Sequence, residues 1–154
     1  MAFSFQDALS QTVDTIERPP LAPLGHYDWV ISKVPTITER DRWDIIEFPL
    51  QAVAAVDVED TDGLEAYGPL KKLNVRKAFL FDKEDEVAAQ QTLANLANFI
   101  EKTVKVEFEG VPLKQALNSC VNQHILGQLR YRPDKNDASI QYHDIGSTAP
   151  IDAE

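Results

Sequence analysis

The chain has few of the residues and segments that form disulfides, metal sites or membrane helices. Its single cysteine, Cys120, excludes an internal disulfide and a cysteine-based zinc site. No apolar run approaches the roughly 18 residues that a membrane helix needs, and the N-terminus lacks a basic segment followed by an apolar block. At 154 residues the chain suits one domain with a core of its own. We therefore expect a cytoplasmic protein without membrane, metal or cofactor.

Positive charge is scarce as well, with 15 Lys and Arg against 25 Asp and Glu, for a net charge of −10. This balance argues against a simple nucleic-acid coat, because the phosphate backbone attracts positive surface. The charges are nevertheless separated along the chain. Acids gather at 57–65 and 82–86, whereas bases gather at 71–77 and 130–135. We expect a polarised surface, with the acidic segment 57–65 away from any basic binding face.

No group of side chains in the sequence points to catalysis. The three histidines, His26, His124 and His143, are scattered, and the six glycines form no phosphate-binding loop. Asp144 beside His143 is a single adjacent pair rather than a catalytic constellation. Cys120 is expected to pack in the core, since most buried free cysteines are inert. We expect a protein that is not an enzyme.

The segment Trp43 to Val58, WDIIEFPLQAVAAVDV, is the strongest structural signal. Every even position from Ile46 to Val58 is apolar, and a period of two predicts a strand with one buried face. The segment is much longer than the usual strand of about 5–6 residues. Such a strand has to bend, and Pro49 is the expected bulge or edge position because it cannot donate a ladder hydrogen bond. A long, bent strand is typical of a small barrel.

The rest of the chain supplies four more predicted strands and two helices. A helix from about Glu84 to Val104 has an apolar stripe of period 3.6, and a shorter helix is expected after Pro112. The predicted strands flank these helices, with a polar connection before the long strand and an acidic loop after it. In order, these segments are the strand 26–34, the connection 36–42, the long strand 43–58, the loop 57–68, the strand 70–82 and the hairpin strands 124–133 and 139–145.

This order predicts a mainly β protein of the α+β class, an OB-like barrel of five strands with a helix between the third and fourth. The prolines of ERPPLAPL favour an extended linker. We therefore predict an N-terminal arm and Pro-rich linker at 1–24, an OB-like domain at 25–151 and a short acidic tail at 152–154.

Basic and aromatic residues alternate on two of the predicted strands. Single-stranded nucleic acid is held by aromatic faces on which bases stack and by cations along its backbone. The same pattern also fits solvated strand faces, and Tyr131 alternates with Leu129 and Ile125, which point to the core. The predicted nucleic-acid-binding residues are Arg40, Arg42, Trp43, Lys72, Asn74, Arg76, Arg130, Tyr131, Arg132 and Lys135.

Four segments carry a resemblance to a known kind of protein: PLGHYDWVISKV, WDIIEFPLQAV, NVRKAFLFDKED and GQLRYRPDKNDASIQYHDIGSTAPI. Over roughly residues 20–151, their order resembles small tailed-phage proteins of the OB-fold single-stranded DNA-binding kind. The resemblance implies binding of single-stranded DNA without sequence specificity, in phage replication or recombination and in the host cytoplasm. Phage or host replication or recombination proteins are the expected partners. Separately, we expect self-association, to which the N-terminal arm would contribute.

The chain departs from that resemblance at its end. Proteins of this kind commonly carry an acidic C-terminal tail for partners, whereas here the tail is only IDAE. Two other classes of function stay open. One is a virion or assembly component whose arm reaches a neighbour. The other is an adaptor that binds a replication or recombination protein through the acidic segment 57–65.

Overall fold

The computed structural model describes residues 4–11 and 20–151. Within them, six β-strands and four α-helices are joined by a 3₁₀ turn and a π-helix. In chain order these elements are α1 Phe5–Ser10, β1 Gly25–Ile31, β2 Thr36–Glu39, β3 Trp43–Val58, α2 Thr61–Tyr67, the 3₁₀ turn Leu70–Lys72, β4 Asn74–Asp82, α3 Glu86–Asn98, the π-helix Phe99–Val104, α4 Leu113–Ser119, β5 His124–Pro133 and β6 Gln141–Pro150.

The strands form one antiparallel sheet in which β3 is the central element. The order is β2-β3-β1-β5-β6, and β4 pairs with the other side of β3. The first half of β3, from Trp43 to Gln51, pairs with β4, while Asp44–Glu47 also pairs with β2. The second half, Leu50–Val58, pairs with β1. The prediction of a mainly β domain of the α+β class, with one long strand from Trp43 to Val58, is confirmed. That strand was expected to be the second in the chain and is the third, because β2 precedes it.

The prediction of a closed barrel of five strands is wrong in two respects. A sixth strand, β2, lies in the segment 36–42 that was expected to be a polar connection. Its Thr-Ile-Thr sequence is β-branched, which suits a strand, and it pairs with Asp44–Glu47. In addition, β4 and β6 contact each other but form no ladder, so the described sheet stays open between them.

The alternation along β3 holds only through its first half. Ile46, Phe48, Leu50 and Ala52 are buried, but Val56 is 57% exposed. The ladder with β1 shifts register twice in the second half, and each extra residue turns the following side chains to the other face. These shifts, and not Pro49, are the bulges.

Pro49 lies where the partner of β3 changes. The residues before it pair with β2, and those after it pair with β1. Its carbonyl accepts a hydrogen bond from the Ser32 N–H at 3.1 Å. The N–H and C=O of a strand residue point the same way. The N–H that proline lacks would therefore point to the gap between β2 and β1, where β3 has no partner strand in the described sheet, so no ladder hydrogen bond is lost.

The predicted helix 84–104 is confirmed and closes the core. The Asp85 side chain caps α3 by accepting from the Ala88 N–H at 3.1 Å. Beyond α3, the chain continues as the π-helix, and Phe99 and Ile100 are buried. The short helix after Pro112 is confirmed as α4. Cys120 is fully buried, where burial raises the pKa of its thiol to about 11, so it packs in the core as predicted.

The acidic segment 57–65 is not the loop that the sequence predicted. β3 continues to Val58, and α2 follows. The Asp60 carboxylate caps α2 by accepting from the Gly63 N–H at 2.8 Å, which is why an acid-rich segment can begin a helix here. α2 places the side chain of Tyr67 in the core. The third predicted strand begins at Asn74 and not at 70, because Leu70–Lys72 forms the 3₁₀ turn.

The predicted domain boundary at residue 25 comes too late. Ala22 is fully buried, and its N–H donates to His143 Nε2 at 2.9 Å. The Tyr27 hydroxyl donates to the Pro23 carbonyl at 2.6 Å. The segment 20–24 is therefore part of the domain and not a free linker. Residues 1–3 and 12–19 of the predicted arm, and the predicted tail 152–154, lie outside the described residues. In the described part of the chain, no helix is long and apolar enough to cross a membrane.

Candidate nucleic-acid interface

The predicted binding residues form two groups, one on the outer face of β3 and β4 and one on the β5–β6 hairpin, and the first group extends from one end of β4 to the other. Trp43 pairs with Asp82 at the end of this strand, and Arg40 and Arg42 precede Trp43 in the β2–β3 connection. Lys72 lies just before the strand begins. A strand of nine residues spans about 30 Å at about 3.3 Å per residue. One nucleotide cannot touch both Trp43 and Lys72.

The first group belongs to the outer face of β3 and β4. Trp43 is 37% exposed and lies on this face with Asn74, Arg76 and Leu80. Arg76 is exposed and makes only a long ion pair with Glu47, at 3.8 Å. Asn74 is exposed and contacts the Lys71 carbonyl at 3.4 Å. This face offers one aromatic ring and one largely available cation.

Arg42 is committed to carboxylates on the same face. Its guanidinium binds both oxygens of Asp82, at 3.2 and 3.0 Å, and Glu84 at 3.1 Å. The pair raises the pKa of Arg42 and lowers the pKa of Asp82. The guanidinium also lies 5.3 Å from the ring centre of Trp43. With its charge neutralised, Arg42 orients Trp43 and adds little attraction for phosphate.

The second group lies on the β5–β6 hairpin. Arg130 binds the Asp144 carboxylate at 3.2 and 3.1 Å, which neutralises it. Arg132 lies with its guanidinium 5.4 Å from the ring centre of Tyr142. Lys135 is exposed in the turn between the two strands. Arg132 and Lys135 are thus better placed than Arg130 to meet an anion.

Tyr131 serves packing and not stacking. Its hydroxyl donates to the Ala22 carbonyl at 2.6 Å, and burial raises its pKa. Its ring is 6.5 Å from the ring of His143. Tyr131 therefore pins the segment 20–24 to the domain, in agreement with its alternation with the core residues Leu129 and Ile125.

The turn of the hairpin is built around the Asp134 carboxylate. This group accepts from the backbone N–H groups of Asn136 and Asp137, at 3.0 and 3.1 Å, and from the Tyr142 hydroxyl at 3.0 Å. These hydrogen bonds hold the pKa of Asp134 below its usual range. The turn therefore fixes Tyr142, which is 43% exposed, with Arg132 over its ring.

Lys72 and Tyr142 meet at one cavity, which we call the aromatic pocket. Its volume is about 300 Å³. The Lys72 ammonium lies 4.4 Å from the ring centre of Tyr67, and that ring meets His143 edge-on at 5.7 Å. The residues that line the pocket are Pro20, Leu21, Tyr67, Lys72, Ile140, Gln141, Tyr142 and His143. An apolar pocket with aromatic walls and one cation, Lys72, in its lining can take a planar base and its phosphate.

Sequence reasoning missed three residues of this pocket: Tyr67, Tyr142 and His143. Tyr142 could have been found, because Tyr142 lies opposite Arg132 in the register of the hairpin once the turn is recognised. Tyr67 could not, since the segment around it was expected to be a loop. Only the folded chain brings Tyr67 to the hairpin.

The acidic helix α2 lies next to the pocket, contrary to the expectation that this segment would lie elsewhere. α2 carries Tyr67, and the charge of Asp60 contributes to the raised pKa of Tyr131. A nucleic acid bound at the pocket would be repelled on this side.

In the described residues, no group of three or more His, Cys, Asp or Glu side chains is arranged to hold a metal ion. No known protein family and no curated protein matches the chain.

Proposed function

We propose that this protein binds single-stranded DNA without sequence specificity, with the aromatic pocket as the centre of the site. The observation that carries the proposal is that two tyrosine rings lining this pocket each have a cation nearby, Lys72 within the lining itself and Arg132 outside it. Lys72 covers Tyr67, and Arg132 covers Tyr142. In the described part of the chain, neither cation forms an ion pair within 4 Å like those of Arg42 and Arg130. The charge of Arg132 does act on the Asp134 carboxylate and contributes to its lowered pKa, so Lys72 is the less compensated of the two.

The strand order supports an OB-like barrel as the scaffold for this function. β1 lies between β3 and β5, β4 follows β3, and β6 follows β5, which is the neighbour order expected for that fold, with the helix after its third strand. We assign the five barrel strands to β1, β3, β4, β5 and β6. In this assignment β2 is an addition in the first connection, and the barrel is left unpaired between β4 and β6.

The proposed roles follow from exposure and pairing. Tyr142 stacks on a base, because its ring is held by Asp134 and Arg132 and is still accessible. Lys72, Arg132 and Lys135 attract phosphates, and Arg76 continues the path along the outer face of β4. Trp43 contacts DNA only where a strand of several nucleotides reaches the far end of β4. From the resemblance to small tailed-phage proteins, we propose that this activity serves phage replication or recombination, without catalysis.

Binding to a fluorescein-labelled oligomer of 20 dT, followed by anisotropy at several salt concentrations, tests the proposal. Stacking contributes about 1–3 kcal/mol per base, so Tyr142→Ala should weaken binding about five- to a hundredfold. The four cations Lys72, Arg76, Arg132 and Lys135, at about 0.7 each, predict a slope of log K against log salt near −3. Lys72→Ala combined with Arg132→Ala should reduce that slope to about −1.4. Lys114→Ala, at an exposed position of α4, is the control and should change neither quantity.

Two results would count against the proposal. Binding that survives Tyr142→Ala and the double change, but is lost in Trp43→Ala, would move the site to the far end of β4. An absence of binding at low salt would favour the virion component or the adaptor instead.

A further inference from the structure

A second, larger cavity lies apart from the aromatic pocket. It is a groove of about 550 Å³ between β4, α3 and the π-helix, which we call the β4–α3 groove. One wall is four consecutive residues of β4, and the other is a stripe along the helix. The lining residues are Lys77, Ala78, Phe79, Leu80, Thr92, Asn95, Asn98, Phe99, Lys102, Thr103 and Thr148.

The lining of the groove differs in charge from the rest of the molecule. The net charge of the chain is −10, yet the groove contains two lysines, Lys77 and Lys102, and no carboxylate. Lys77 is partly covered, and burial together with the charge of Arg130 lowers its pKa, an effect that the Asp144 carboxylate outside the lining only partly offsets. A carboxylate bound in the groove would offset this desolvation. The groove is therefore complementary to an acidic ligand.

The β4 wall presents unpaired backbone groups. The Ala52 N–H donates to the Leu73 carbonyl at 3.0 Å, so the backbone of odd-numbered residues of this segment points toward β3. The N–H and C=O of the even residues Ala78 and Leu80 therefore point away from β3, on the groove side. In the described sheet, β4 pairs with no strand other than β3. An unpaired edge of this kind is a template for an additional strand.

We propose that the β4–α3 groove binds an extended acidic segment of a partner protein, which adds to β4 as a strand. The segment pairs with the backbone of Ala78 and Leu80, and its carboxylates meet Lys77 and Lys102. The four lining residues of β4 span about 13 Å, which fits a segment of about four to six residues.

The helical wall and the floor complete the site. Asn95 and Asn98 offer amide groups that both donate and accept, so they can pair with the outer edge of the added strand. Phe79 and Phe99, with ring centres 5.4 Å apart, provide an apolar floor for its inward side chain. The wall ends in a π-helix, a geometry that is frequent at functional sites.

A polypeptide fits this groove better than a nucleic acid does. The edge of β4 presents carbonyl oxygens as well as N–H groups, and a phosphate backbone would be repelled by the carbonyls. A peptide strand supplies a donor for each acceptor. The groove is thus a partner site beside the proposed DNA site and does not depend on it.

A labelled peptide of sequence Val-Asp-Val-Glu-Val-Asp-Val is a suitable probe, with binding followed by anisotropy on the full chain. We expect saturable binding that is lost when alternate residues of the peptide are N-methylated. This change removes the backbone N–H donors along one edge of the extended peptide. Lys102→Glu should weaken binding at least about tenfold, since like charges would then meet in the groove. Lys114→Glu makes the same change in net charge outside the groove and should have no effect.

Ala78→Pro tests the edge itself. It removes the N–H that faces the groove and leaves the backbone bonds to β3 in place, and proline is tolerated on such edges. This variant should fold, as judged by circular dichroism, and should lose the peptide. If it does not fold, Lys102→Glu and the N-methylated peptide still decide the question.

Three results would overturn the proposal. Undiminished binding of the N-methylated peptide would exclude strand addition. Equal weakening by Lys102→Glu and Lys114→Glu would show that the peptide responds to the net charge of the protein and not to the groove. Failure to bind the peptide, together with dT binding or dimerisation that depends on Lys102, would assign the groove to DNA or to a second copy of the chain.

Discussion

His143 connects the segment 20–24 to the wall of the aromatic pocket. Its Nε2 accepts a hydrogen bond from the Ala22 N–H at 2.9 Å, so this nitrogen carries no proton in the folded protein. Burial lowers the pKa of His143 from its ordinary value of 6.5, because the charged form would lose its hydration. The neutral ring is therefore part of the folded structure.

The stability of the protein should consequently depend on pH through His143. The pKa is lowered in the folded state, so the unfolded chain binds the proton more readily. The free energy of unfolding should be constant above about pH 7 and should fall as the pH drops below about 6.5, through the folded pKa. Urea unfolding at pH values from 7.5 to 5 measures this.

His143→Gln should reduce the dependence on pH, since an amide does not titrate in this range. His26→Gln is the matched control, because the described hydrogen bonds of the segment 20–24 involve Tyr27, Tyr131 and His143 and not His26. An equal change in both variants would show that the pH dependence does not come from the bond to Ala22.

At the level of elements, three phenylalanines join the long strand to the helix. Phe48 of β3 lies 5.8 Å from Phe79 of β4 and 5.0 Å from Phe99 of the π-helix, measured between ring centres. These distances suit edge-to-face packing. Because Phe79 and Phe99 also form the floor of the β4–α3 groove, the groove rests on the core.

Phe48→Ala should lower the free energy of unfolding by about 3–5 kcal/mol, since Phe48 is fully buried and the change leaves a cavity. Val53→Ala on the same strand, at a position that is 47% exposed, should cost no more than about 0.5 kcal/mol. Chemical denaturation of both variants measures the difference. Similar midpoints for the two would mean that the core lies elsewhere.

At the level of the whole molecule, the N-terminal region has two different relations to the domain. α1 has no buried residue, and Phe5 and Leu9 are about two-thirds exposed, at 65% and 64%. By contrast, Ala22 and Pro23 are buried and make three hydrogen bonds with Tyr27, Tyr131 and His143. Only the second part belongs to the domain.

Deletion of residues 1–18 should therefore leave the folded domain intact. Deletion through residue 24 should cost about 2–4 kcal/mol, because it removes three hydrogen bonds at about 0.5–1.5 kcal/mol each. Thermal unfolding of the two truncated chains compares them. Loss of folded protein on the shorter deletion would show that residues 1–18 are part of the core.

The position of the predicted cations shows the limit of sequence reasoning at the site. The alternation of residues along the strands correctly predicted that the side chains of Arg76, Arg130 and Arg132 are exposed. It could not show that Arg130 is neutralised by Asp144 while Arg132 covers an aromatic ring. Such pairing depends on which side chains face each other across strands, and that depends on register.

The sequence by itself determined the long strand β3, the helix α3 and the β5–β6 hairpin. In each of these, one dominant period of apolar residues or one turn sequence carries the information, so local physics is sufficient. The tertiary structure alone decided the bulges in β3 and the junction of Lys72, Tyr67 and Tyr142. These features depend on contacts between segments far apart in the chain, which no local pattern encodes. The unpaired edge of β4 is also decided by the tertiary structure, because whether a strand has a free edge depends on which other strands pair with it.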